Sequence, residues 1–127
     1  MRLVYVDTSV LLATALGEPG CERVRKTLRR FDGLVTSGLT EAEFAARLRR
    51  EQVVGKAIPG QVAFVSHPPR LSAEVERVLD AGYARGADTW HIAVALFVDP
   101  TAKSLKFATL DAKQADVARA VGFAVLA

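Results

Sequence analysis

The sequence predicts an α/β fold, three layers built on a mainly parallel central sheet, and three observations predict it. Short β-branched runs alternate along the chain with segments of helical periodicity, the pattern of helices packed on a parallel sheet. The segment DTWHIAVALFV at residues 88–98 is apolar on most sides, so it must be buried between other elements. The 127 residues hold no repeat, low-complexity run or linker, so residues 1–127 read as one domain, large enough to bury a core without disulfides.

Residues 3–6, LVYV, read as a strand, and residues 9–16 as a short helix closed by Gly17, with Pro19 and Gly20 beyond it. Val24, Leu28 and Phe31 then recur at helical spacing, while Arg23, Arg25, Lys26, Arg29 and Arg30 give that helix a basic outer face. GLVTSG is a second strand. Thr40 starts a helix reaching about Val53, with Phe44, Ala45 and Leu48 as its apolar stripe and Glu43, Arg47 and Arg50 on the other side. Residues 54–70 contain Pro59-Gly60 and Pro68-Pro69 and read as a loop with one short helix or strand inside. Ser72 caps the next helix, Leu71 is its hydrophobic staple, and Val75, Val78, Leu79 and Tyr83 form its core stripe. Asp88 opens the apolar helix, which stops before Pro100. SLKFATL is a further strand, residues 111–121 a last helix, and FAVLA a final strand.

Composition narrows the function classes. A lone cysteine, Cys21, excludes an intramolecular disulfide and a cysteine-based zinc site. No run approaches the roughly 18 apolar residues of a membrane span, and the N-terminus lacks a signal-peptide pattern. A cytoplasmic protein with no membrane role is the expectation. The formal charge of +3, carried mostly by arginine, modestly favours polyanions and is equally compatible with an ordinary solvated surface.

Three acids fall at comparable places: Asp7 just past the first strand, Glu43 on the helix after the second, and Asp111 just past the strand SLKFATL. Ligands of open α/β sheets bind at the carboxyl ends of the strands, so separate elements would bring these acids to one edge. Asp88 joins them if its helix starts there. Each acid also has a structural reading: Asp7, Asp88 and Asp111 as helix N-caps, Glu43 as the partner of Thr40 in a capping box or of Arg47 at i,i+4. As a set they would repel one another unless a cation compensates them. Hard oxygen donors without a cysteine or a histidine pair suit Mg²⁺ or Mn²⁺. Such a site can acidify a water, aim it at a phosphodiester and offset the charge on the attacking and leaving oxygens.

Four blocks, VDTSVLLA, TSGLTEAEFAARL, RGADTWHIAVAL and FATLDAKQADVARAVGF, resemble in residue type and order the PIN-domain family, and within it the VapC-like toxins of type II toxin-antitoxin pairs. That resemblance implies a metal-dependent endoribonuclease with Asp7, Glu43, Asp88 and Asp111 as catalytic metal ligands and Thr109 in support. It further implies Mg²⁺ or Mn²⁺, an RNA substrate, a homodimer and an antitoxin that blocks the site. Helical spacing places Glu41 nearer the apolar stripe, whereas the family motif selects Glu43. A haloacid-dehalogenase-type phosphatase would need a second Asp where Ser9 stands, and a receiver domain would need paired acids after the first strand. A PIN-like module that binds RNA or protein without cleaving is the alternative from another class.

Other residues have double readings. Thr8 and Ser9 either bond the metal shell or start a helix. His91 is a packed histidine with one satisfied nitrogen, or else a ligand or base. Arg47 and Arg50 hold substrate phosphates or neutralise Glu43. Trp90 belongs to the core or an interface rather than to a base-stacking platform, and His67 to a loop. The basic helix is a lesser candidate for an RNA or partner surface.

Overall fold

The computed structural model describes residues 1–66 and 68–126. Its elements, in order, are β1 (Leu3–Val6), α1 (Thr8–Leu16), α2 (Cys21–Leu28), β2 (Gly33–Thr36), α3 (Gly38–Arg50), β3 (Val62–Phe64), α4 (Ser72–Ala81), α5 (Gly86–Val98), β4 (Lys106–Ala108), α6 (Ala112–Val121) and β5 (Val125–Leu126). The strands form one sheet in the order β3-β2-β1-β4-β5, and every pairing is parallel. The strip of sheet thus agrees with the expected fold class and is wholly rather than mainly parallel.

Alternation along the strands divides the core. Val4 and Val6 face α1, α2 and α3, where Val10, Leu11, Val24, Phe44 and Leu48 are buried. Tyr5 and Phe107 face the other way, into a core made by α4, α5 and α6 with Val78, Ile92, Leu96 and Ala118. These are the two helical layers over the sheet. The apolar helix α5 is buried from Ile92 to Leu96, as its composition requires.

From β1 the chain first builds outward through β2 and β3, then returns to place β4 on the other side of β1. The direction of winding therefore reverses between β1 and β4. In an open α/β sheet the crevice at the carboxyl edge of such a pair is where ligands bind. Asp7 and Thr109 are the residues immediately beyond these two strands, and the Asp7 backbone N–H donates to the Ala108 carbonyl at 3.2 Å.

Several local expectations are corrected. Helix α3 begins at Gly38 with Ser37 as its cap, so Thr40 lies inside it and cannot form a capping box with Glu43. Its hydroxyl instead bonds Thr36 at 2.7 Å, and the helix ends at Arg50, short of Val53. Ala45 is exposed rather than part of the stripe. Ser72 is the first residue of α4 and makes no cap bond; the cap position belongs to Leu71, which is buried in the core instead of stapling the helix. Of that helix's expected stripe Val78 is buried, Leu79 is exposed, and Tyr83 lies beyond the helix and is exposed. Helix α5 begins two residues before Asp88, with Arg85 at the cap position, so Asp88 stands in the first turn and is not the cap. Segment 54–70 does contain a short strand, β3, at the sheet's edge. His67 and the terminal Ala127 of FAVLA lie outside the described residues.

Candidate functional site

Asp7 closes β1 because the chain turns there into α1, and its carboxylate serves that turn. Oδ1 accepts from the Ser9 hydroxyl at 2.7 Å and from the Val10 N–H at 3.3 Å, the expected N-cap. Oδ2 accepts from the Thr109 hydroxyl at 2.9 Å. All these donors are neutral, and Asp7 is only 5% exposed. Burial pushes its carboxyl above the usual range, while the bonds from Ser9 and Thr109 oppose that rise. Thr109 also lies 2.8 Å from Gln114 Oε1 and accepts from the Asp111 N–H at 3.0 Å. A hydroxyl has one proton, so Thr109 can serve Asp7 or Gln114 at any moment.

Glu43, one turn beyond Thr40 on α3, comes to the same edge from the second strand. Its Oε1 accepts from the Thr8 hydroxyl at 2.7 Å and lies 2.7 Å from His91 Nε2. The His91 bond, then the Thr8 bond, holds its carboxyl below the usual value against partial desolvation. Glu43 does not pair with Arg47, which reaches Glu51 at 3.6 Å. Glu41 is exposed and is not brought to this network.

His91 is buried on α5, and both of its ring nitrogens are engaged: Nδ1 stands 2.6 Å from the Tyr5 hydroxyl. The packed reading holds, with a second satisfied nitrogen that the sequence did not suggest. Neither nitrogen is left over for a metal. Tyr5 itself is fully buried, stacked on Phe107 at 5.2 Å, and burial raises its phenol well above the ordinary value.

Asp88 and Asp111 complete the edge less tightly. Asp111 caps α6 by accepting from the Gln114 N–H at 2.8 Å. Asp88 is half-buried; its carboxylate is 4.0 Å from the exposed Arg85 guanidinium, and its backbone carbonyl accepts from Gln114 Nε2 at 3.3 Å. Burial, then the negative charge of Asp111, pushes the Asp88 carboxyl up, with a further rise from Glu43. The carboxylates therefore sense one another across the gap between α3, α5 and α6.

Arg47 lines a cavity of about 300 Å³ with Ser9, Leu12, Ala13, Glu18, Pro19 and Leu110, next to the Asp7 turn. Its Nε is buried and lacks a hydrogen-bond partner among the described residues. Arg50 is exposed and pairs with Glu51 at 3.5 Å, so it is not drawn to the acidic edge. On α2 Arg23 and Lys26 are exposed, as are Arg29 and Arg30 just past its end, whereas Arg25 is tied to Glu22 and to the Thr14 carbonyl. Trp90 is partly buried and, like Val75, packs against the core.

The donor set fits a hard divalent cation by chemistry: four carboxylates from four separate segments, one of them buried among neutral donors only. Among the described residues, however, no three Asp, Glu, His or Cys side chains stand together as a ready coordination group. Tyr5 and Gln114 are the members of the network that sequence reasoning missed. The available signal was Tyr5 itself, a polar-tipped ring in an otherwise aliphatic strand on the face that meets α5.

A family model described as PIN domain matches residues 4–126. No match to the chain was found among the curated proteins.

Proposed function

The chain belongs to the PIN domain family, and from that premise we propose that it is a metal-dependent endoribonuclease, the toxin of a type II toxin-antitoxin pair. PIN domains are generally nucleases and commonly use Mg²⁺ or Mn²⁺. The observation that supports the reading is that Asp7 and Asp111 follow the carboxyl ends of β1 and β4, where the sheet reverses its winding, while the Asp88 carboxyl is raised by burial and by the charges of Asp111 and Glu43. Caps explain Asp7 and Asp111 individually. They do not explain Glu43 and Asp88.

In this reading the four carboxylates would hold one or two divalent cations. The cation supplies Lewis acidity, acidifying a water and offsetting charge on the phosphodiester. The chain's own residues do the rest. Ser9, Val10 and Thr109 fix Asp7, and Thr8 fixes Glu43. Arg47 lines the cavity beside the Asp7 turn, and its guanidinium, whose Nε lies 3.6 Å from Glu51, is the proposed contact for a backbone phosphate. Arg50 and the exposed basic face of α2 add a general attraction for polyanions. The cognate antitoxin and a second copy of the chain are the protein partners, in a cytoplasmic setting; no described helix is long and apolar enough to cross a membrane.

The alternative is a PIN-fold module that binds RNA or protein without cleaving, which the lack of a ready coordination group among the described residues favours. A broad pool of structured RNAs, incubated with Mn²⁺, with Mg²⁺ and with EDTA, separates the two. Cleavage that requires both metal and Asp7 supports the nuclease. Binding of RNA with no cleavage by either wild type or Asp7→Asn supports the module.

A further inference from the structure

We propose that His91 is a positioning residue: held from behind by Tyr5, it locks Glu43 through Oε1 and leaves Oε2 as the oxygen available to a divalent cation. The inference rests on the metal-dependent reading of the acidic edge. It concerns a buried histidine whose ring nitrogens both meet polar side chains, Tyr5 and Glu43, rather than the apolar core.

The Glu43 carboxylate sets the direction of the chain, because it can only accept. The ring proton is then on Nε2, 2.7 Å from Glu43 Oε1, and in the neutral imidazole the bare Nδ1 accepts from the Tyr5 hydroxyl at 2.6 Å. Thr8 donates to the same oxygen. Both donors therefore converge on Oε1, and Oε2 accepts no hydrogen bond among the described residues.

Tyr5 cannot drift, because its ring is stacked on Phe107 at an interplanar angle of 8° and meets the imidazole edge-on at 5.8 Å. The relay also crosses layers. His91 lies on α5, on one side of the sheet, and Glu43 on α3, on the other. A glutamate has several free torsions, and ordering them at the moment of cation binding costs affinity. Two donors on one oxygen remove that cost beforehand. Partners that orient a ligand in this way typically change metal affinity about 10- to 100-fold when removed.

The test is Mn²⁺ titration of the full, metal-free chain by calorimetry, with thermal melts to confirm folding. His91→Leu is expected to weaken Mn²⁺ binding about 10- to 100-fold. His91→Gln, whose amide can still donate to Glu43, should recover most of the loss. Tyr5→Phe keeps the stacked ring and deletes only the hydroxyl, so it reports on the relay even if His91→Leu does not fold; a several-fold weakening is expected. Long-range ¹H–¹⁵N spectra of the metal-free wild type should show a bare Nδ1 and a protonated Nε2, with the Nε2 signal moved by Glu43→Gln. Folded His91→Leu with wild-type Mn²⁺ affinity overturns the positioning role, as does a ring protonated on Nδ1 with Nε2 bare. A wild-type chain with the expected tautomer that binds no Mn²⁺ overturns the metal-dependent reading and this role with it.

Discussion

The acidic edge has two unequal halves. Asp7 and Glu43 are wired into the molecule: Ser9, Val10 and Thr109 serve the first, Thr8 and His91 the second. Asp88 and Asp111 are held lightly, one by an exposed arginine at 4.0 Å and the other by a single backbone N–H. The wired acids arise from the sheet's centre and the helices directly following β1 and β2. The lightly held pair sits on the first turn of α5 and the cap of α6, where burial and then the charge of Asp111 push the Asp88 carboxyl up. A fixed half and a repelled half together explain how four acids can share an edge without forming a ready coordination group. In the proposed metal-dependent reading, Asp7 and Glu43 would be the two ligands already held in place.

The largest effect that could break this comparison is at its fixed end. Asp7→Asn keeps an oxygen for the Val10 N–H, and its amide can donate to the Thr109 hydroxyl, so the fold should survive with its melting temperature nearly unchanged. RNA cleavage in Mn²⁺ should fall by a factor on the order of 10² to 10³, the equivalent of several kcal/mol of lost charge stabilisation. A variant that folds and cleaves at the wild-type rate would remove Asp7 from the chemistry.

Asp99 sharpens the contrast from the other end of α5. Its carboxylate accepts from the Thr101 hydroxyl and from the N–H groups of Thr101, Ser104 and Leu105, all within 3.1 Å. Backbone donors of this kind draw its carboxyl down from 3.8 to about 2. It is a carboxylate with a purely architectural task, closing the loop between α5 and β4. The sign follows from the depressed folded value: the stabilisation is fully present above pH 3.8 and is lost as pH falls toward about 2. Asp99→Ala should cost about 1 kcal/mol at neutral pH, since solvent screens this group, and leave Mn²⁺ affinity untouched. Its melting temperature should also fall less steeply than that of wild type between pH 4 and pH 2. Loss of Mn²⁺ binding in this variant would show that the far end of α5 controls the acidic edge.

How much of this was legible in the sequence follows from the range of the interactions. The alternation of runs was enough for the sheet and both helical layers, because periodicity and burial are local signals. The four acids could be named as candidates because strand ends and helix starts mark the carboxyl edge. Caps were less legible: Asp7 and Asp111 do cap, but Ser72 and Asp88 do not, since Leu71 and Arg85 occupy those positions once tertiary packing has set where each helix begins. The Tyr5–His91–Glu43 chain could not be read at all. Its members are separated by 86 and 48 positions and meet only when α3 and α5 close over opposite faces of the sheet. Glu43's preference over Glu41 likewise came from family resemblance, and its physical reason is the reach to Thr8 and His91.

The smallest expected effect is the most direct measure of the repelled half. A carboxyl whose folded value is raised binds its proton more tightly in the folded protein, so its charged form costs stability at neutral pH. Asp88 is in that position, through burial first and the charge of Asp111 second. Asp88→Asn removes the charge while keeping the side chain's size. Because the group is partly solvated, the expected gain is only about 0.5 kcal/mol, a rise of roughly 2 °C in the melting temperature of the metal-free protein. Raising the salt concentration should shrink the difference by screening the acids from one another. The same variant should bind Mn²⁺ more weakly, so stability and metal affinity move in opposite directions. Asp7→Ala should not share the first of these effects, since it removes the cap oxygen for the Val10 N–H as well as a charge. If Asp88→Asn instead lowers the melting temperature of the metal-free protein, then Asp88 is held by attraction, and the two halves of the edge are alike.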